Sequence, residues 1–125
     1  MKVEIQVSIG ELFDKITILD IKKEKIQDES KLVNIYKEFE LLEKIALSID
    51  IDYNKSELYE VLYDINCSLW VIEDSKREHE KNKDFGEEFI FLAREVYKKN
   101  DRRFNIKRLI NEKYGSEIIE EKSYK

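Results

Sequence analysis

Eight cations crowd into residues 94–113: Arg94, Lys98, Lys99, Arg102, Arg103, Lys107, Arg108 and Lys113. Only Glu95, Asp101 and Glu112 oppose them, so this stretch carries +5 inside a chain whose net charge is −5. Guanidinium forks grip a carboxylate or phosphate through two parallel hydrogen bonds, and lysine adds a point charge. Lys15 and Lys22 stand two helical turns apart on one line. Trp70, Tyr97 and Phe104 offer rings for stacking on a flat group, and Asn66, Asn100 and Asn111 offer amides to read its edges. This combination is suited to a small anionic, phosphate-bearing, nucleotide-like ligand. The expected ligand-binding set is Lys15, Lys22, Asn66, Trp70, Glu73, Arg94, Tyr97, Asn100, Arg102, Arg103 and Lys107.

The elements that must hold these residues pose a packing problem. Phe89, Leu92 and Val96 recur at helical spacing as an inward stripe. Carried on, the stripe passes through Asn100, Arg103 and Lys107 before reaching Ile110 and Tyr114. Burying such groups unpaired costs several kcal/mol each, by order of magnitude. Three arrangements avoid that cost. The helix breaks near Asn100 and Asp101, with Asp101 capping a fresh helix from Arg102 to Tyr114 that ends at Gly115. Alternatively, carboxylates of other helices pair with the cations, or the stripe lines a polar cavity.

The remaining chain reads as helical scaffold. Ser8-x-x-Glu11 has capping-box spacing, and a helix over residues 9–27 places Ile9, Leu12, Phe13, Ile16, Leu19 and Ile26 on one face. Ile18 and Ile21 fall on its far side, which predicts a cover on both faces, the second from another subunit or a substructure. Asp28 and Ser30 mark a stop and restart. The second helix runs to about residue 48, and residues 50–54 form a loop. Ser56 caps a third helix over residues 57–81, where Tyr59, Asn66, Trp70, Glu73 and Arg77 flank the core stripe as a pocket wall. Asp84-Phe-Gly-Glu87 repeats the capping-box spacing before the fourth helix. Residues 2–7 alternate apolar and polar, a short strand pattern that pairs with the tail, residues 117–124, or with a partner chain. The expected fold is a single all-α domain over residues 1–125. It is an antiparallel bundle of about four long helices with a small strand pairing at the termini, assembled as a homodimer or larger.

Composition agrees with this and excludes several functions. Proline is absent and glycine occurs three times, so long helices have few breakers. No apolar run approaches the roughly 18–20 residues of a membrane span. The single cysteine, Cys67, forms no internal disulfide and fits a cytoplasmic, reducing setting. An acidic total argues against bulk nucleic-acid binding. His79 is the sole histidine and sits in a charged surface run; the residues call for no metal, no cofactor and no catalytic nucleophile. Glu11-x-x-Asp14 and Glu73-Asp74 resemble the magnesium carboxylates of all-α nucleotide pyrophosphatases, but Glu87-Glu88 is followed by Phe91 where that pattern needs a third Glu.

Two segments carry a wider resemblance: Val7-Ser-Ile-Gly-Glu-Leu-Phe-Asp-Lys-Ile-Thr-Ile-Leu-Asp-Ile-Lys22 and Asn66-Cys-Ser-Leu-Trp70-Val-Ile-Glu-Asp74. With Asp84-Phe-Gly86, Ala93-Arg-Glu-Val-Tyr97, Asn100-Asp101, Ile106-Lys107 and Glu120-Glu-Lys-Ser-Tyr124, the chain resembles a family of short, uncharacterised bacterial and phage proteins. The resemblance implies an all-α fold and no activity. It implies that Asp14, Lys15, Lys22, Trp70, Glu73, Arg94, Asn100 and Lys107 belong to family motifs. In a phage setting, a small oligomer that encloses a nucleotide signal silences host immunity by sequestration in the host cytoplasm, with no catalysis. Two other readings stand beside it. Residues 11–26 are loosely similar to the first helix of all-α chorismate mutases, which implies a small-molecule enzyme. The third reading is a scaffold that docks a partner.

Overall fold

The structure, a computed structural model, describes residues 1–123. Four helices follow in order: α1 (Ile9–Lys25), α2 (Glu29–Ser48), α3 (Glu57–Lys81) and α4 (Glu87–Tyr114), with one 3-10 turn at Tyr53–Lys55. Three of them start on side-chain caps. Ser8 accepts from the Glu11 amide, Asp28 from the Ser30 and Lys31 amides, and Ser56 from the Tyr59 amide. The capping box expected before α4 does not form. Asp84 lies too early: its own amide closes the end of α3 on the His79 carbonyl, its carboxylate accepts from Gly86 at 3.4 Å, and Gly86 is the N-cap. At its other end α4 stops on Gly115, whose left-handed φ of 66° suits glycine.

The central helix is α1, which packs against α2, α3 and α4. Leu12, Phe13 and Ile16 meet Ala46 of α2, Tyr59 and Leu62 of α3, and Ile110 of α4 in one core. Ile21 is fully buried and Ile18 half-buried. Ile21 is thus covered within the chain, where α1 contacts all three other helices. The segment between α2 and α3 belongs to the core as well: Ile51 and Tyr53 are buried, and the Tyr53 ring packs edge-on to Phe13.

Residues 1–7 are extended, yet among the described residues no strand forms and no backbone group of 1–7 is hydrogen-bonded. The tail is held by its side chains instead: Ser116 to the α1 N-terminus, Glu120 to Lys107, and Glu121 to Arg108. That anchoring follows α4 rather than a ladder with residues 2–7, which accounts for the missing strand; Tyr124 lies outside the described residues. No helix among the described residues is long and apolar enough to cross a membrane.

Length decides the outline. At 1.5 Å per residue, α4 spans about 42 Å and α1 only about 26 Å. The buried residues of α3 lie at Tyr59, Leu62, Ile65 and Asn66, and those of α4 at Phe104, Lys107, Ile110 and Asn111. Between residues 67 and 103 nothing is fully buried. The outer half of the α3–α4 hairpin therefore extends past the bundle as a two-helix arm.

Candidate functional site

Along α1, Gly10, Asp14, Thr17 and Ile21 recur at intervals of four, three and four and are all buried. This face meets α4. Gly10 makes the approach possible: a Cβ there would sit 2.5 Å from the Lys107 carbonyl oxygen. The Gly10 amide donates to Asn111 Oδ1 at 2.6 Å. Its neighbours are answered too, Ile9 by Ser116 Oγ at 3.1 Å and Glu11 by Ser8 Oγ at 3.0 Å. A helix N-terminus with free amides attracts anions; here three consecutive amides are already occupied by side chains of the same chain.

One turn on, Asp14 is 1 % exposed and receives the Arg103 guanidinium side-on. Arg103 Nε donates to Oδ1 at 2.8 Å and Nη2 donates to Oδ2, the bidentate geometry that arginine and carboxylate favour. Asn66 Nδ2 donates to Asp14 Oδ1 at 2.9 Å and to Thr17 Oγ1 at 2.8 Å, while the Thr17 hydroxyl donates to the Asp14 carbonyl at 2.7 Å. Asn100 Oδ1 accepts from Arg103 Nη1 at 3.5 Å. Asp14 thereby joins α1, α3 and α4 at one point. The hydrogen bond to Asp14 and its charge raise the Arg103 pKa above its ordinary value, against the opposing effect of burial.

A second pair lies one turn along α4. Lys107, 8 % exposed, donates through Nζ to Glu11 at 2.6 Å and to Glu120 of the tail at 3.2 Å. Burial by itself would lower the Lys107 pKa; the Glu11 bond and the charges of Glu11, Asp14 and Glu120 outweigh it, and the net shift is upward. Lys107 therefore remains an ammonium at neutral pH, unsuited to act as a base or nucleophile. Lys15 reaches Glu11 from the solvent side at 3.7 Å. Arg103, Lys107 and Lys15 thus face Asp14, Glu11 and Glu120, three charges against three. Among the described residues no buried side-chain nitrogen or oxygen lacks a hydrogen-bond partner.

The chain belongs to a family of unknown function, DUF6165. The family model matches residues 1–125. No curated protein and no solved structure matches this family member.

Of the eleven residues expected to bind a ligand, the structure gathers Asn66, Asn100, Arg103 and Lys107 around Asp14 and Glu11. Helix α4 runs unbroken through Asn100 and Asp101, so carboxylate pairing is the arrangement found along the inward stripe. Lys15 joins the cluster from the solvent side through Glu11; the other six are dispersed, and none of Lys22, Trp70, Glu73, Arg94, Tyr97 and Arg102 bonds directly to Asn66, Arg103 or Lys107 among the described residues. Glu73 pairs with Lys76 on its own helix, and Trp70 is half-buried. Tyr97, Arg94 and Arg102 are exposed. Tyr59, expected in a pocket wall, is in the core, with its hydroxyl donating to Asp20; burial first and that hydrogen bond second hold its pKa far above the usual phenol value.

Gly10, Thr17 and Glu120 belong to the site beyond the residues expected from the sequence, and Asp14 and Glu11 serve in it as counterions. A signal existed in the four-three-four spacing of small and polar residues within an apolar helix. Nothing comparable marks Glu120, whose tail has no periodicity. No cluster of three or more His, Cys, Asp or Glu side chains that would hold a metal occurs among the described residues.

Proposed function

We propose that this protein is a non-catalytic helical scaffold that binds a partner through its surface, its interior charges serving to fix α1 against α3 and α4. One observation carries the reading: Asp14 and Glu11 of the same chain neutralise the inward cations, so the most buried polar site has no vacancy for an outside anion. Exposed Val71, Ile90, Phe91 and Tyr97 on the projecting hairpin support a role in contact with another macromolecule. The test is a thermal-shift screen with nucleoside phosphates, cyclic dinucleotides and ADP-ribose derivatives. The scaffold reading expects no rise in melting temperature; a concentration-dependent rise with one compound overturns it.

A second reading keeps the small anionic, nucleotide-like ligand and moves it to the surface. Lys22, Arg94 and Arg102 form no ion pair among the described residues, and the Tyr97 ring lies exposed within one turn of Arg94. Phosphate capture there, with Trp70 or Tyr97 stacking on a base, is the chemistry that sequestration of a nucleotide signal by a phage protein requires. In the same screen this reading expects a rise that Arg94→Ala and Arg102→Ala each remove.

A further inference from the structure

The N-terminal segment presents an unused strand edge. Residues 1–7 are extended, every one is exposed, and none of their backbone amides or carbonyls is hydrogen-bonded among the described residues. Val3 and Ile5 are 80 % and 77 % exposed although they belong to the apolar side of the alternation. Lys2 and Glu4, two residues apart on the other side, approach to 3.7 Å as neighbours on one face of a strand do. Ile5 and Val7 line an open groove with Ser8, Glu11, Ile118 and Glu120. An exposed row of unpaired backbone groups beside apolar side chains is a template for strand addition.

We infer that residues 3–7 pair antiparallel with the same residues of a second copy of this chain, about a two-fold axis through Ile5. Self-complementarity selects both the occupant and the register. Centred on Ile5, Val3 lies opposite Val7, Ile5 opposite Ile5 and Glu4 opposite Gln6, so apolar meets apolar and no like charges meet. A shift by one residue sets Val and Ile against Lys, Glu and Gln. Centring on Glu4 sets two carboxylates face to face, a destabilising cross-strand pair. Centring on Val3 or Gln6 shortens the overlap and leaves apolar residues unpaired. In the Ile5 register the incoming Val3, Ile5 and Val7 fall on the same side of the ribbon as the first copy's. They extend the apolar row that begins at the groove beside Ile118. This goes beyond the scaffold reading, which holds whether or not the chain pairs with itself.

The test uses the full chain in a Cys67→Ser background. Directly opposed strand residues bring their Cβ atoms to about 4.5–5.5 Å, close to disulfide range, while the diagonal neighbours are farther apart. Mild oxidation should link Ile5→Cys into a dimer and leave Gln6→Cys, which sits opposite Glu4, largely unlinked. Light scattering after gel filtration should give a dimer for the wild type. Ile5→Asp, which opposes two carboxylates at the axis, should weaken dimerisation at least about tenfold with unchanged helical circular dichroism. A monomeric wild type, a dimer that survives Ile5→Asp, or equal cross-linking of the two cysteine variants would overturn the inference. Because the substituted positions are exposed and lie outside every helix, loss of the fold does not confuse the outcome.

Discussion

Asp14 and Arg103 differ in burial, and the difference governs how each responds to loss of its partner. Arg103 keeps 29 % of its side chain exposed whereas Asp14 keeps 1 %. Without Asp14, the guanidinium can turn part of its charge to water; without Arg103, the carboxylate stays in the interior with Asn66 as its remaining side-chain donor. Arg103→Ala should therefore destabilise more, by roughly 3–5 kcal/mol, and Asp14→Ala, which leaves the partly exposed guanidinium behind, by somewhat less. Urea denaturation of the two variants measures the order.

His79 gives a residue-scale prediction with a pH sign. Its Nδ1 lies 2.9 Å from the Ser75 carbonyl, and Nε2 lies 3.7 Å from Glu88 and 4.0 Å from Asp84 across the hairpin turn. The Ser75 carbonyl chiefly, then Glu88 and Asp84, hold its pKa above the ordinary 6.5. A raised folded-state pKa means the protonated ring stabilises the turn. That contribution is complete below 6.5, the unfolded value, and is lost as pH rises through the folded value. An NMR titration of the single histidine should give a midpoint above 6.5 that falls in Glu88→Gln; an unchanged midpoint in that variant removes the account of the turn.

Among the elements, the junction of α1 with α4 is where close approach matters most. Gly10→Ala would place a methyl group 2.5 Å from a backbone oxygen, which no rotamer change relieves. The helices must separate, stretching the Asn111 and Lys107 bonds. We expect a loss of about 1–3 kcal/mol in chemical denaturation, the usual cost of overpacking, where Ala for Gly inside a helix would otherwise gain stability. The helices themselves were legible in the sequence because caps and apolar periodicity agreed: Ser8, Ser56 and Gly115 sit where the pattern puts them. The inward run through Asn100, Arg103 and Lys107 was legible as an anomaly, but its counterions were not. Pairing across elements depends on which helix faces which, and Asp14 on α1 is separated from Arg103 on α4 by most of the chain. The strand pattern at residues 2–7 fared differently, since alternation specifies an extended shape but supplies no partner for it.

For the whole molecule, stability should be uneven. The core gathers where α1 crosses the base of the α3–α4 hairpin, and no residue between 67 and 103 is fully buried. Two helices alone shield their backbone hydrogen bonds poorly, so the outer arm should open with a lower free energy than the base. Hydrogen exchange should show amides around Val71 and Phe91 exchanging well before those around Ile16, Leu62 and Ile110; uniform protection along α4 would contradict the layout.

The central claim is that the inward cations answer this protein's own carboxylates. A double-mutant cycle on Asp14→Ala and Arg103→Ala, read by urea denaturation, tests it most directly. The account predicts a coupling of at least about 1.5 kcal/mol, the double variant losing clearly less than the two single losses combined. Losses that add to within about 0.5 kcal/mol would mean that Arg103 and Asp14 act independently, and would contradict it.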